Sequence, residues 1–374
     1  MSRVKKDKLR VWLAVAGVSL GLHYFMLILA QLIISGDISP AALLSLMKNR
    51  LTVPGDAVRY LDIAQNGYVT EGENAINLVF YPLYPLLVRL LGTILGNFSL
   101  AGVFISQLSF AGAAVLFYEL ILLDSDSPAA WRGVLLLNLY PYSMFVMGVF
   151  TEGLFLLLTI GCMYALRRER FVWAGMIGFL AALTRVQGML LIFPAVYELL
   201  SLRLGKDKRP FRWSGLSVLL IPAGFGVYLC INWALHGNAF QFLAYEAGEP
   251  WYQSTAWIGP NIAQQYQMGV DYPALRGIIY APQICLYFVV LLTLFLGLRR
   301  KERMSHLLYG GVYLGFTYLS GWMISGGRYL LCCFPAALIL ARQREGLAQR
   351  LTLLGMGLLF FAYSLFYLMG YAIM

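Results

Sequence analysis

The feature that most constrains this fold is a succession of long apolar segments that fill most of the 374 residues. Hydrophobic residues make up 60% of the chain, and charged residues make up only 12%. Unpaired backbone amides are costly in hydrocarbon, so such a chain must span the membrane as helices or as a closed barrel. The apolar runs are about 15–24 residues long and do not alternate strictly, which favours helices. We therefore expect an all-α polytopic membrane protein, built as a single domain over residues 1–374.

Eleven of these segments are predicted to cross the membrane. The first follows a basic N-terminal tail, and its length and lack of a clear cleavage site favour a span over a signal peptide. The predicted spans are 11–34, 100–123, 129–148, 151–167, 171–186, 188–203, 213–235, 277–298, 305–324, 328–341 and 350–372.

The basic residues indicate the orientation of these spans, because Lys and Arg are enriched in cytoplasmic loops. The net charge is +10, and most of the basic residues lie in short clusters between apolar segments. The clusters all face the cytoplasm if the N-terminus is cytoplasmic and the short apolar segment 82–96 is re-entrant or interfacial. The clusters concerned are the N-terminal tail, 167–170, 203–212, 299–303 and 342–350. We expect a multi-pass protein of the cell membrane with its C-terminus outside.

Two long loops, 35–81 and 236–276, are then extracytoplasmic. Within the first, Pro40–Arg50 and Ala57–Asn66 have helical spacing of apolar residues and are predicted to be interfacial amphipathic helices. This loop is a polar island, and its Asp56 has the chemistry of a general base that takes a proton from a hydroxyl. An alternative is that Asp56 only caps the helix beginning at Ala57. Arg59 follows Asp56 and is not explained by the orientation rule.

Three further charged residues lie in apolar surroundings, where an unpaired charge is costly. Glu152 and Arg185 lie near the outer ends of predicted spans, with Gln187 beside Arg185. Arg328 follows two glycines at a predicted helix start, where an arginine suits an anion such as phosphate. The alternative is a structural ion pair of either arginine with Glu152 or a loop acid. Together these residues predict one cavity on the outer side.

Several other classes of site have little support. The three histidines are scattered, so no metal site is predicted, and the chain has no DxD pair and no P-loop for a nucleotide. The five cysteines lie in apolar runs and are interpreted as small core residues. The basic charge follows the loops, so we expect the membrane rather than nucleic acid as the partner.

Four segments resemble the GPI mannosyltransferase II (PIG-V-like) family of the GT-C membrane glycosyltransferases. The segments, in chain order, are GDAVRYLDIAQNGY with FYPLYPLLVRLL, YPYSMFVMGVFTEGLFLLL with ALTRVQG, HGNAFQFLAYEAGEPW, and GGRYLLCCFPAALIL. One departure is clear, because Gly55 stands where the family usually has Trp before the Asp.

This resemblance implies a GT-C-like bundle of about eleven membrane helices with an extracytoplasmic active site. It implies an inverting transfer of mannose or another hexose from a polyprenyl-phosphate-linked donor to a glycan, lipid or protein acceptor. Asp56 would be the base, and no cofactor would be required, although a divalent cation can assist such enzymes. The substrate-binding candidates are Arg328, Tyr329, Arg185, Gln187, Arg59 and Glu152. The alternatives are a transporter or flippase of lipid-linked sugars, and a non-catalytic membrane subunit.

Overall fold

The computed structural model is helical, and it describes residues 3–53, 55–204, 213–321, 325–371 and 373. In this part of the chain the only extended pairing is an isolated bridge between Thr255 and Ser320. The all-α fold class predicted from the sequence is confirmed.

Nine α-helices form the first half of the bundle in the described residues. They are α1 (Arg3–Ser35), α2 (Pro40–Leu51), α3 (Asp56–Asn66), α4 (Leu83–Leu95), α5 (Phe98–Ile121), α6 (Ser127–Asn138), α7 (Glu152–Arg167), α8 (Phe171–Ala182) and α9 (Ile192–Leu204). Three 3₁₀ segments interrupt them, at Glu73–Val79, Ser143–Met147 and Val186–Leu191.

The second half begins with a 3₁₀ segment, Trp213–Leu219, that leads into α10. Its helices are α10 (Leu220–His236), α11 (Gln241–Ala247), α12 (Ile258–Asp271), α13 (Pro273–Leu275), α14 (Ala281–Arg299), α15 (Met304–Thr317), α16 (Gly326–Leu330), α17 (Phe334–Ala341) and α18 (Leu347–Met369). A π-helical turn, Arg276–Tyr280, joins α13 to α14.

Local signals in the sequence set several of these boundaries. The Asn97 side chain accepts a hydrogen bond from the Leu100 amide and starts α5, and Asp126 does the same for Ala129 at the start of α6. Gly96 and Gly237 adopt the left-handed conformation that ends α4 and α10. The helices predicted at Pro40–Arg50 and Ala57–Asn66 are confirmed as α2 and α3.

The long apolar segments are only partly continuous helices. In the described residues, six helical stretches are long and apolar enough to cross a membrane. The other predicted spans correspond to shorter or broken helices, such as α16 and α17 within 328–341. The number eleven therefore remains a prediction. The segment 82–96 forms α4, which is bent by 114° from Glu73–Val79, as in a broken span or a re-entrant loop.

The core lies where α5, α7 and α8 pack together. Small residues permit this close approach, since a Cβ on Gly153 would lie 2.4 Å from the Ser106 carbonyl oxygen. Cys162, Cys332 and Cys333 are buried here, as predicted, but Cys230 and Cys285 are exposed. The interpretation of those two as core residues was wrong, because they lie on faces of α10 and α14 that are exposed in the described part of the chain.

One end of the bundle is a cluster of ion pairs between the predicted cytoplasmic loops. Arg167 pairs with Asp124 through two hydrogen bonds of 2.8 and 2.7 Å, and Arg342 also reaches Asp124 at 3.2 Å. Burial raises the pKa of Asp124, but these two arginines outweigh it and lower the pKa to about 2. Arg303 makes a similar bidentate pair with Glu198. Of the predicted cluster 203–212, residues 205–212 lie outside the described residues.

The acidic and basic residues predicted to form the outer cavity lie at the other end of the same helices. Glu152 begins α7 and Arg167 ends it, so they are about 22 Å apart along the axis at 1.5 Å per residue. Arg328 and Arg342 likewise lie at opposite ends of the segment that contains α16 and α17. The basic loops and the predicted site are therefore at opposite ends of the bundle, as the predicted orientation requires.

Labelling with a membrane-impermeant maleimide tests which end faces the cell exterior. Cysteines introduced as Glu71→Cys and Arg300→Cys occupy exposed positions at the two ends. In a background with Cys230→Ser and Cys285→Ser, we expect Glu71→Cys to react in intact cells and Arg300→Cys only after permeabilisation. The reverse pattern would overturn the orientation.

Candidate active site

The end of the bundle opposite the ion-pair cluster contains a cavity of about 470 Å³, within the range of about 300–1,000 Å³ usual for small-molecule sites. The first outer loop, the second outer loop and the segments around Arg185 and Arg328 all line it. Five of the seven predicted site residues lie on its wall: Asp56, Arg185, Gln187, Arg328 and Tyr329.

Asp56 is the first residue of α3, and its carboxylate faces this cavity. Its Oδ2 accepts a hydrogen bond of 2.7 Å from Nη1 of Arg328, and its side chain is 33% exposed. The helix is preceded by Gly55, and no side chain caps it. The alternative in which Asp56 caps the helix is therefore wrong. Gly55 has a φ of +57°, a conformation that glycine adopts far more easily than tryptophan, the usual family residue there.

Arg328 joins Asp56 to a second, fully buried carboxylate. Its Nε donates to Oε1 of Glu152 at 2.6 Å, while its Nη1 serves Asp56. The guanidinium carbon also lies 4.9 Å from the ring centre of Phe145 and 4.7 Å from that of Phe150, a cation–π arrangement. With the Arg328 side chain only 7% exposed, these contacts fix its guanidinium in place.

Glycine is needed next to this arginine because the backbone there packs directly on an aromatic ring. A Cβ on Gly327 would lie 2.4 Å from two ring carbons of Tyr142. The hydroxyl of Tyr140 donates to the Gly327 carbonyl at 2.8 Å. Gly327, the second of the two glycines before Arg328, thus serves close packing. The helix they start, α16, has only five residues, so its dipole contributes little to an anion site.

Arg185 completes the buried cluster. Its Nη1 donates to the same Oε1 of Glu152 at 2.7 Å and to the Thr151 hydroxyl at 3.3 Å. Its guanidinium lies 4.7 Å from the ring centre of Tyr329. The ion pairs considered as an alternative in the sequence are therefore present, but both arginines also line the cavity. Structural pairing and ligand binding are compatible here.

Glu152 lies behind the cavity wall, with a side chain that is fully buried. Its Oε1 accepts from both arginines, whereas Oε2 is buried without a hydrogen-bond partner among the described residues. Asp56, Arg328, Glu152 and Arg185 thus form a continuous chain of alternating charges. We call these four residues the ion cluster.

Arg59, like Glu152, is a predicted substrate-binding residue that does not lie on the cavity wall. Its Nη1 donates to Asn74 at 3.4 Å and to Asn77 at 3.3 Å, and Asn77 in turn donates to Asp62 at 2.7 Å. This network ties α3 to the segment Glu73–Val79 and is not part of the cavity wall. The contacts of Arg59 in the structure therefore support the loop.

The sequence analysis missed the contribution of the second outer loop. Glu246, Trp251 and Gln253 line the cavity together with Phe240 and Phe242. Phe242 and Glu246 are four residues apart and lie on one face of α11. In the sequence, this spacing of Phe242 and Glu246 beside several aromatic residues was the signal that could have indicated their contribution to the cavity.

In the described residues no group of three or more His, Cys, Asp and Glu side chains is placed to hold a metal ion. Whether a divalent cation takes part in the reaction is a matter for measurement with a chelator.

The ion cluster predicts a large effect of Glu152→Gln on stability. Removing this carboxylate leaves two buried arginines without their shared partner, and breaking buried pairs costs about 3–5 kcal/mol. We expect a large fall in the melting temperature of the purified protein. The control is Glu345→Gln, because Glu345 pairs with Arg132 but is 79% exposed and should matter little. Equal shifts for the two variants would contradict this account.

A second prediction concerns the close approach at Gly327. Gly327→Ala introduces a methyl group into the Tyr142 ring, and overpacking of this kind costs about 1–3 kcal/mol. We expect a lower melting temperature, because the backbone that carries Arg328 is displaced from the Tyr142 ring. The matched control is Gly311→Ala in α15, where a Cβ meets nothing within 4 Å. If both substitutions are silent, the packing does not position Arg328.

Comparison with known proteins agrees with this architecture. Residues 27–203, a little under half of the chain, match the family described as mannosyltransferase (PIG-V). This range contains Asp56, Glu152, Arg185 and Gln187 but not Arg328. A search of curated proteins found no match.

Solved structures show the same fold. ArnT from Cupriavidus metallidurans bound to undecaprenyl phosphate superposes with a TM-score of 0.56 at 14% identity, over 89% of this chain and 61% of that chain. ArnT from the same organism in the apo state gives 0.53 at 13% identity, over 88% and 74%. The chain thus spans less than two thirds of the length of the first ArnT structure, and at these identities the likeness concerns the fold. The resemblance noted in the sequence is thus supported by a family match over residues 27–203, and the chain shares its fold with ArnT.

Proposed function

We propose that this protein transfers mannose or another hexose from a polyprenyl-phosphate carrier to an acceptor hydroxyl, with inversion, on the extracytoplasmic side. The observation that carries the proposal is the direct contact between Asp56 and Arg328 inside one cavity. A proton acceptor beside a fixed cation is what this reaction needs, one for the attacking hydroxyl and the other for the departing phosphate.

The arginines have hydrogen-bonding capacity left for a phosphate. Arg328 uses Nε for Glu152 and Nη1 for Asp56, and a guanidinium carries five N–H donors in a rigid fork. The remaining donors can bind phosphate oxygens, which arginine recognises well. The match to ArnT, one structure of which contains undecaprenyl phosphate, supports a polyprenyl phosphate as the ligand of this fold.

In the proposed reaction the acceptor hydroxyl gives its proton to the Asp56 carboxylate as its oxygen attacks the anomeric carbon. The bond between that carbon and the phosphate oxygen breaks, and its electron pair leaves with polyprenyl phosphate. The phosphate thereby gains a negative charge, which Arg328 and Arg185 stabilise. The leaving group needs no proton, so the step as written uses no metal, and a chelator tests whether a divalent cation contributes.

The contact between Asp56 and Arg328 also suggests an order of binding. The Oδ2 atom of Asp56 already accepts a hydrogen bond of 2.7 Å from Arg328. A donor phosphate that draws Arg328 toward itself would release Asp56 to accept a proton. We therefore propose that the donor lipid binds before the acceptor.

The test of the proposed base is Asp56→Asn in protein reconstituted in vesicles, with undecaprenyl-phosphate-linked mannose as donor and methyl α-mannoside as acceptor. General bases contribute about 10²–10⁴-fold, so we expect release of undecaprenyl phosphate to fall at least a hundredfold while the donor still binds. The control is Asp62→Asn on the same helix, since Asp62 contacts Asn66 and Asn77 rather than the cavity. Normal turnover by a folded Asp56→Asn protein would rule out the base.

The same assay separates the alternatives. A flippase would move the sugar-bearing lipid between leaflets with the sugar–phosphate bond intact, and a non-catalytic subunit would do neither. Only the transferase releases undecaprenyl phosphate in an Asp56-dependent way.

A further inference from the structure

Glu246 in the second outer loop is a carboxyl group that the reaction above does not use. It lies on α11, one turn after Phe242, and both side chains line the cavity. Phe242 is buried and packs with a ring-centre distance of 5.2 Å on Tyr228 and 6.2 Å on Phe225. These contacts fix the face of α11 that carries Glu246 toward the interior.

The side chain of Glu246 has neither an ion pair nor a hydrogen bond within the described ranges, and only its backbone carbonyl accepts, from the Gln253 amide at 2.8 Å. Among the described residues, Asp56 is the other acid on the cavity wall, and it pairs with Arg328, as Glu152 does behind the wall. A half-buried polar group without a partner is costly. The carboxyl group of Glu246 is therefore available to hydrogen-bond a ligand in the cavity.

The charges around the cavity favour the neutral acid form of Glu246. Burial raises its pKa to about 7. The ion cluster of Asp56, Glu152, Arg185 and Arg328 is balanced, so a donor phosphate adds negative charge and opposes ionisation further. The elements packed against α11 are α10 and the segment Glu73–Val79. Their titratable groups are Glu73, Tyr228, Cys230 and His236, and Tyr81 follows them on the cavity wall. None of these is a permanent cation.

The walls near Glu246 are aromatic. Trp251 and Phe80 line the cavity in an edge-to-face pair with ring centres 6.0 Å apart, and Tyr81 stacks on Tyr228 at 4.1 Å. A cavity with flat apolar walls and a few polar groups holds a ligand that has both kinds of surface. A sugar ring has such surfaces, since its C–H faces are apolar and its hydroxyls are polar.

We propose that Glu246 is a specificity-determining residue that hydrogen-bonds the hydroxyls of a sugar ring placed against Trp251. Its neutral carboxyl group donates one hydrogen bond and accepts another. This inference rests on the proposed function, and the ring belongs either to the sugar being transferred or to the acceptor. The two sources share one chemistry, and binding measurements distinguish them.

The experiment compares Glu246→Ala and Glu246→Gln with the wild-type chain in nanodiscs. The ligands are undecaprenyl phosphate, undecaprenyl-phosphate-linked mannose, and methyl α-mannoside added to protein already loaded with undecaprenyl phosphate. Glutamine keeps a donor and an acceptor without a charge, whereas alanine removes both. The control is Glu249→Gln, because Glu249 is exposed, accepts from Tyr252 and does not line the cavity.

We expect Glu246→Ala to weaken one sugar ligand about tenfold, the loss expected for one or two neutral hydrogen bonds. Glu246→Gln should bind within about threefold of the wild type, and undecaprenyl phosphate itself should bind all variants equally. Loss confined to the donor lipid places the ring on the transferred sugar, and loss confined to methyl α-mannoside places it on the acceptor. If neither sugar ligand responds, or if glutamine is as harmful as alanine, the inference is overturned.

The pH dependence provides a second readout. A neutral carboxyl group donates below its pKa and loses that proton above it, so wild-type affinity for the responding ligand should fall as pH rises above about 7. Glu246→Gln should remove this fall in affinity. Any change in the ionisation of the ligand's phosphate with pH affects the wild type and the variant equally. An identical pH profile for the two would contradict the neutral form. Failure of undecaprenyl phosphate to bind the wild-type chain would instead count against the proposed function itself.

Discussion

The burial of ionised side chains in an apolar bundle is the constraint on which this structure depends. Glu152 is fully buried, and Arg185 and Arg328 are nearly so. Charges in such surroundings persist only when each meets an opposite charge with good hydrogen-bond geometry. Asp56 completes the alternation from the first outer loop. The ion cluster thereby holds together four segments that are distant in sequence. It positions these segments around the cavity at this end of the bundle.

Irregular backbone is concentrated around the same junction. The 3₁₀ segments Ser143–Met147 and Val186–Leu191 lie directly beside Glu152 and Arg185, and the break between α16 and α17 follows Arg328. Non-helical backbone at membrane depth is tolerated where it is buried in protein or lines a cavity. In a continuous helix, successive side chains point in all directions around the axis. The interruptions allow neighbouring side chains to point toward the interior instead. They also explain why helices of the predicted spans are shorter than the apolar runs that encode them.

The sequence was sufficient to predict the helical class and the residues that meet in the ion cluster. Charges such as Arg185 and Arg328 in apolar runs must find partners, and this requirement is visible without a structure. The positions of the breaks were not predicted, because apolar residues continue through them and the hydropathy does not change. The role of Glu246 was missed for a different reason. It depends on how α11 folds back across the bundle, a non-local contact that no periodicity within the loop specifies. Arg59 was grouped with Asp56 from its proximity in sequence, but its side chain contacts Asn74 and Asn77 instead of lining the cavity, so its role in binding remains a prediction.

The Oε2 atom of Glu152 accepts no hydrogen bond within the described residues, and this affects how the ion cluster can accommodate an anion. Both arginines now share Oε1, so the carboxylate has acceptor capacity in reserve on its other oxygen. A guanidinium that turns toward a phosphate can exchange one oxygen of Glu152 for the other and keep its counter-ion throughout. If a phosphate binds as proposed, Glu152 can therefore remain the counter-ion of an arginine whose side chain changes direction, so that the arginine is never left as an unpaired buried charge.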